Sequence, residues 1–362
     1  MSTVLSIPSG PAEVTPEWLS TVLSADGTPV RVRSVDVVPI GTGQTGATYR
    51  LTVGYETERA DLPPTFAIKL PAQDESVRER VALGYRAEHA FYTRVAAHMA
   101  IPVPHCYHCE IGGDGAEFAM LMADMAPAVQ GDQIVGCSPA EARLAVTALA
   151  GLHGPSWCDP QWADVPGIAM PKPDDAAAEG LGEIAEMAAD ITIDKLGPRM
   201  RPEDRETTLT AMSMVTAWLR TEKSRFALMH GDYRLDNMLF DPDRTRVTVV
   251  DWQTMGAGLP ARDLSYFLGT SLLPEVRSEV ERDLVEVYHR ALRSHGVADY
   301  DSETCWRDYR LGMLQVPLLT VLGFAFAAST ERGDDMMLTM LERGGRAIRE
   351  LDSLELVNPA AS

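Results

Sequence analysis

The chain has 362 residues, 45% of them hydrophobic and 23% charged, with a formal net charge of −20. That length exceeds what one core usually fills, so two lobes are expected, and the composition is that of a globular chain, not a disordered one. The acid excess excludes nucleic acid and anionic membranes as partners, because both demand a basic surface, and leaves small substrates, cationic ones among them. Met1 to Pro11 has neither a basic nor an apolar segment, so a cytoplasmic location is expected. Five cysteines, an odd number, do not make a disulfide framework.

In chain order, Thr15-Pro16-Glu17-Trp18 sets a capping hydroxyl, a first-turn proline and an early acid before an apolar pattern, predicting a short helix to about Leu23. Val30 to Ile40 and Ala47 to Tyr55 are rich in β-branched residues and predict strands. Between them lies Gly41-Thr42-Gly43-Gln44-Thr45-Gly46, a GxGxxG run. A dinucleotide-binding fold would need a helix next, yet a strand follows. The arrangement suits a loop in which Gly41, Gly43 and Gly46 let backbone N–H groups approach phosphates; taken alone, it is also an ordinary hairpin turn.

Phe66-Ala67-Ile68-Lys69-Leu70 places a lysine inside an apolar strand, which is costly unless its ammonium meets anions. Nucleotide phosphates and a helix carboxylate would supply them. A helix over about 76–99 offers Glu88, with Glu79 as the alternative and an exposed acid as the plain reading of either. Pro102-Val103-Pro104 breaks it, and a hairpin is predicted from there through Ile111, a glycine turn and Glu117 to Met122. Cys106 and Cys109, on one strand, should fall on opposite faces, and no second ligand pair follows, so no zinc site is expected.

Ser138-Pro139-Ala140-Glu141 is a capping box opening a helix to about His153. A loop over 155–173 precedes Asp174 to Ala189, which carries five acids and no base, and helix resumes over Arg205 to Lys223. Then comes His230-Gly231-Asp232-Tyr233-Arg234-Leu235-Asp236-Asn237, followed by apolar Met238 to Phe240, the turn Asp241-Pro242-Asp243, and Val247 to Asp251. This reads as a hairpin with Asn237 at one end and Asp251 at the far end of its partner, bringing Asp232, Asn237 and Asp251 to one mouth. Phosphoryl transfer asks for such a set: a carboxylate beside the attacking hydroxyl and hard oxygen donors for Mg²⁺. An acidic loop between two buried strands is the bland alternative. Further helices are predicted from Pro260 through Phe267, over Leu284 to Leu292, Trp306 to Ala328 and Met337 to Leu354. Gln315, Pro317 and Thr320 interrupt the apolar run Leu311 to Ala328, favouring a buried helix over a membrane span.

The HGDxxxxN motif followed by a strand ending in Asp resembles the aminoglycoside phosphotransferase family, small-molecule relatives of the protein kinases. Gly231 stands where protein kinases carry Arg, and Asp251-Trp252-Gln253 replaces their Asp-Phe-Gly. The resemblance implies a two-lobed, protein-kinase-like α+β fold, with a nucleotide-binding lobe over 1–125 and a mainly helical catalytic lobe over 126–362. It implies that Asp232 orients or deprotonates an acceptor hydroxyl, Asn237 and Asp251 hold Mg²⁺, Lys69 steadies the phosphates and Glu88 steadies Lys69. It further implies that Asp263 braces the catalytic loop, that residues 123–128 join the lobes beside the adenine, and that His153 is a core or capping residue. The co-substrate would be ATP, with GTP open, and the partner a small hydroxylated molecule. A protein kinase and an inactive kinase-fold binding module are the rivals. Only Trp252 to Arg262 separate Asp251 from Asp263, too little for a peptide platform. Clustered acids would suit an aminoglycoside; apolar walls would suit a sterol-like or lipidic alcohol, and Asp251-Trp252-Gln253 with Asp263 to Leu268 resembles the ecdysteroid-kinase-like branch.

Overall fold

The computed structural model describes residues 6–24, 27–40, 46–57, 59–326 and 330–357. Helix α1 (Pro16–Leu23) starts where Thr15 Oγ1 accepts the Trp18 amide at 3.2 Å. Strands β1 (Val32–Ile40), β2 (Gly46–Tyr55) and β3 (Thr65–Pro71) pair antiparallel, and helix α2 (Glu75–Ala90) continues through a wider turn at Phe91–Val95 and a tighter one at Ala96–His98. Strands β4 (Cys106–Gly112) and β5 (Glu117–Ala123) complete a sheet of order β1-β2-β3-β5-β4. Alternation along β3 sends Phe66, Ile68 and Leu70 to a core shared with Trp18, Leu19 and Val22 of α1. Ala67, and with it Lys69, takes the opposite face, where Tyr85 of α2 packs with Phe118 and Met120 of β5.

The β4–β5 hairpin corrects one expectation. Cys106 pairs with Met122 but His108 with Leu121, so Tyr107 is an extra residue in β4. A bulge of this kind shifts the alternation by one position, and Cys106 and Cys109 pack on the same core, not on opposite faces.

Beyond β5 comes β6 (Val129–Gln130), and the chain then turns helical. Helix α3 (Pro139–His153) carries the full capping box: Ser138 Oγ accepts the Glu141 amide at 3.3 Å, and Glu141 Oε2 accepts the Ser138 amide at 2.8 Å. Helix α4 (Asp175–Leu196) outruns its acidic stretch, while Arg205 to Lys223 divides at Met214 between α5 (Pro202–Ser213) and α6 (Val215–Thr221). Strand β7 (Ala227–Met229) precedes the 230–237 loop, β8 (Met238–Phe240) and β9 (Val247–Val249) form the expected hairpin, and β10 (Gly256–Gly258) pairs with β7. Helix α7 (Ala261–Ser271) is buried at every position, enclosed by α8 (Pro274–Ser294), α9 (Ser302–Gly312), α10 (Gln315–Phe326) and α11 (Glu331–Glu350). The stretch Ser302–Phe326 is long and apolar enough to cross a membrane by length and composition alone, but it breaks at Met313 between α9 and α10, and most of its apolar window is buried inside the protein.

Candidate active site

The catalytic loop is held from beneath. Asp263, in the first turn of α7 and without solvent exposure, accepts the His230 amide on Oδ2 at 2.6 Å and the Gly231 amide on Oδ1 at 3.1 Å. His153, at the end of α3, lies between Asp263 (Nε2 to Oδ2, 3.4 Å) and the Tyr288 hydroxyl (2.7 Å from Nδ1), a buried structural position as expected. Gly231 has φ +83, and a Cβ there would come within 2.2 Å of Thr254 O and 2.3 Å of Met170 Cε. The loop leaving Asp251 folds back so closely that no side chain fits, so the arginine of protein kinases has no room here.

This bracing aims Asp232. Its Oδ1 accepts from Tyr266 Oη and Arg234 Nε, each at 3.0 Å, and its Oδ2 from Arg234 Nε at 2.9 Å and Asn237 Nδ2 at 3.0 Å. Asn237 is pinned on both sides, its Nδ2 also donating to Asp232 O at 2.9 Å and its carbonyl accepting the Val250 amide at 3.0 Å, which sets Asn237 beside Asp251. Arg234 and Tyr266 were not among the residues singled out from the sequence. Tyr266 had a usable signal: it lies three positions after Asp263 on one helix, the spacing that puts both on one face.

Across the cleft, Lys69 Nζ lies 2.7 Å from Glu88 Oε2 and 3.0 Å from Asp251 Oδ1, so Glu88, not Glu79, is its helix partner. Burial pulls the lysine's pKa down, but Asp251 and Glu88 more than offset this and hold it above its ordinary value. Asp251 is pushed up by burial and pulled further down by Lys69, ending below the usual carboxylate range, whereas burial keeps Glu88 above it. Asp251 has φ +67, a left-handed turn that directs its carboxylate back to Lys69 as the chain leaves β9. Trp252 locks that turn, its ring stacked on Phe91 with centroids 3.5 Å apart and planes at 4°, and its amide 3.4 Å from Glu88 Oε1.

Gly41 and Gly43 lie outside the described residues, and Gly46 is the first residue of β2. Asp251 carboxylate and Asn237 amide oxygens are the hard donors that suit Mg²⁺, which completes its shell with phosphate and water, and the pair therefore fits that ion. Among the described residues no cluster of three or more His, Cys, Asp or Glu forms a separate metal cage.

A buried lysine between two carboxylates, facing a braced Asp and Asn across a cleft on a two-lobed α+β fold, defines a kinase-like small-molecule phosphotransferase. The sequence profile described as "Phosphotransferase enzyme family" matches residues 36–310, and the chain belongs to that family, the one its motifs resemble. It is an enzyme that transfers a phosphoryl group to a hydroxyl, with a nucleotide as co-substrate. Among solved structures, a Ralstonia eutropha chain described as an aminoglycoside phosphotransferase superposes with TM-score 0.50 at 17% identity, over 92% of this chain and 97% of that one. Choline kinase from Cryptosporidium parvum superposes with TM-score 0.55 at 10% identity, over 89% and 91%. At such identities these likenesses establish the fold alone. Curated relatives match a short segment: acyl-CoA dehydrogenase family member 11 of Gallus gallus is 38% identical over 65 residues, and family member 10 of Mus musculus 36% over 70. Those segments are 17% and 18% of this chain but only 8% and 6% of the relatives' own length.

Proposed function

We propose that the enzyme moves the γ-phosphoryl group of ATP to the hydroxyl of a small, largely apolar alcohol. The observation that carries the acceptor class is the surround of Asp232: Tyr266 on one oxygen, the Arg234 guanidinium across both, Met336 Sδ at 3.2 Å from Arg234 Nη1, and Met170 against Gly231. Arg332 adds a second guanidinium 3.5 Å from Asp236. Asp232 and Asp236 are paired with these guanidiniums, so neither carboxylate is left free to hold a polyamine. Three of the five acids in the 174–189 stretch, which would otherwise favour one, are engaged elsewhere: Asp174 caps the helix, Asp175 pairs with Lys223 and Arg220, and Glu179 with Arg220.

On this reading the acceptor hydroxyl donates to Asp232, whose carboxylate orients it and takes its proton as the new P–O bond forms and the bond from the γ-phosphorus to the β–γ bridging oxygen breaks, releasing ADP. Arg234, Tyr266 and Asn237 fix the carboxylate, so it needs no reorganisation at that moment. Lys69, held charged by Glu88, presents its ammonium to the phosphates. Asn237 and Asp251 would hold Mg²⁺, which when bound neutralises phosphate charge during transfer. Residues 1–125 serve as the nucleotide lobe and 126–362 as the catalytic one. A consumer of nucleoside triphosphate whose five thiols are all free belongs in the cytoplasm.

Labelled ATP and labelled GTP, each offered with panels of hydrophobic alcohols, aminoglycosides and generic proteins, test the proposal. Label moving from ATP to the alcohols is expected. Transfer to aminoglycosides alone would overturn the acceptor class, and label only in the protein panel would overturn the small-molecule reading.

A further inference from the structure

Next to Asp263, helix α7 carries a charged residue that phosphotransfer leaves without a task. Arg262 is 8% exposed. Its Nε donates to Gln315 Oε1 at 2.8 Å, and its guanidinium carbon lies 4.7 Å from the centre of the Trp218 ring. Among the described residues no carboxylate makes an ion pair with it, and no hydrogen bond reaches its terminal nitrogens. Asp263, its neighbour in sequence, is committed to the two amides of the catalytic loop. Burial, only partly opposed by Asp263, draws the pKa of Arg262 down to about 10.

The guanidinium borders a cavity of about 30 Å³, lined also by Lys172, Trp218, Lys223, Arg225 and Gly258. Four of the lining residues are basic, and the sole acid, Glu222, pairs with Arg225 at 2.6 Å. Arg225 is further neutralised by Asp308, at 2.7 and 2.9 Å, and Lys223 by Asp175. Lys172 has the Lys223 carbonyl at 2.7 Å and the Phe226 ring at 4.7 Å, but no carboxylate among the described residues. Two cations, one of them deeply buried, therefore face one small space without a counter-charge. Gly258 keeps that space open, since a Cβ there would stand 3.2 Å from Arg262 Nη1. The site lies at the end of the β7–β10 pair away from the catalytic loop: Gly258 pairs with Ala227, whereas Gly256 pairs with Met229, next to His230.

A buried cation without a partner is costly, and a bound anion is the direct remedy. The volume decides the kind of anion. About 30 Å³ accommodates one or two water-sized particles, which suits a halide. We propose that this cavity is a binding site for a single halide-sized anion, chloride being the natural occupant, held by Arg262 with Lys172 at its mouth. Occupancy fastens the first turn of α7, the turn from which Asp263 braces the catalytic loop.

The test uses the full-length enzyme. Melting temperature is followed as sodium chloride replaces sodium gluconate at constant ionic strength, for wild type and Arg262→Gln, with sodium sulfate as a third arm. Wild type should gain about 2 °C or more with chloride, and Arg262→Gln should not respond. Crystals of the wild type soaked in bromide should show an anomalous peak beside the guanidinium. If Arg262→Gln does not fold, Gly258→Ala replaces it and should weaken the chloride response. A wild type indifferent to chloride overturns the proposal, and so does a response unchanged in both variants. A sulfate response without a chloride response overturns the halide assignment. A bromide peak without any chloride-dependent gain marks an adventitious ion only and counts against the site.

Discussion

Lys69 and Arg262 are buried to the same degree, each 8% exposed, and their charges are treated in opposite ways. Two carboxylates surround the lysine and raise its pKa; the arginine has an amide oxygen and an indole face, and its pKa falls. Burial alone thus says little about a buried cation, because the neighbours decide whether the charge is stabilised or left exposed to the full cost of desolvation. The compensated cation stands between Glu88 and Asp251. The uncompensated one stands beside a cavity.

If the compensated side is the chemical one, the largest effect must come from the carboxylate across the cleft from it. Asp232→Asn should lower turnover about 10²–10⁴-fold while nucleotide affinity is kept, as steady-state rates and calorimetric titration would read; more than about a tenth of the activity remaining would remove Asp232 from its role. Lys69→Met breaks the comparison directly by leaving Glu88 buried without its cation. Denaturant unfolding should register a loss of about 3–5 kcal/mol near neutral pH. The folded Glu88 would then bind its proton more tightly than the unfolded chain does, so the loss should be smallest below the ordinary carboxyl pKa and grow as pH rises through and above it. A deficit that shrinks with rising pH would contradict the assignment.

Asp263→Asn removes a charge that two backbone amides rely on and should cost about 1.5–3 kcal/mol in the same unfolding experiment, with kcat falling more than KM rises because the loop aiming Asp232 loosens. The smallest effect belongs to Arg262→Gln in gluconate. Removing a buried cation that has no counter-charge should change stability by less than about 1 kcal/mol, or raise it; a large loss there would show that the arginine is as well compensated as the lysine.

Much of the site was legible in the sequence because its polar groups interrupt apolar strands at fixed spacings. Lys69 within β3, Asn237 before β8 and Asp251 after β9 announce themselves in this way, and Glu88 was the preferred partner for Lys69. Contacts made by groups of unremarkable type did not announce themselves. Arg234 occupies a variable position of the motif, and Tyr266 resembles any aromatic core residue until Asp263 fixes the face of α7. The fold was legible at the level of lobes and hairpins. The bulge at Tyr107 and the break at Met214 were not, because each depends on how neighbouring elements pack and not on local composition.

The Phe91–Trp252 stack has a consequence for control. Many kinases are silenced by swinging the lobe helix away from the lysine, which separates its glutamate from the site. Here Phe91, at the end of that helix, lies flat against the residue following Asp251, and the same residue's amide faces Glu88. Helix and acidic turn are riveted into one piece, and rotating the helix outward would peel two large aromatic rings into water.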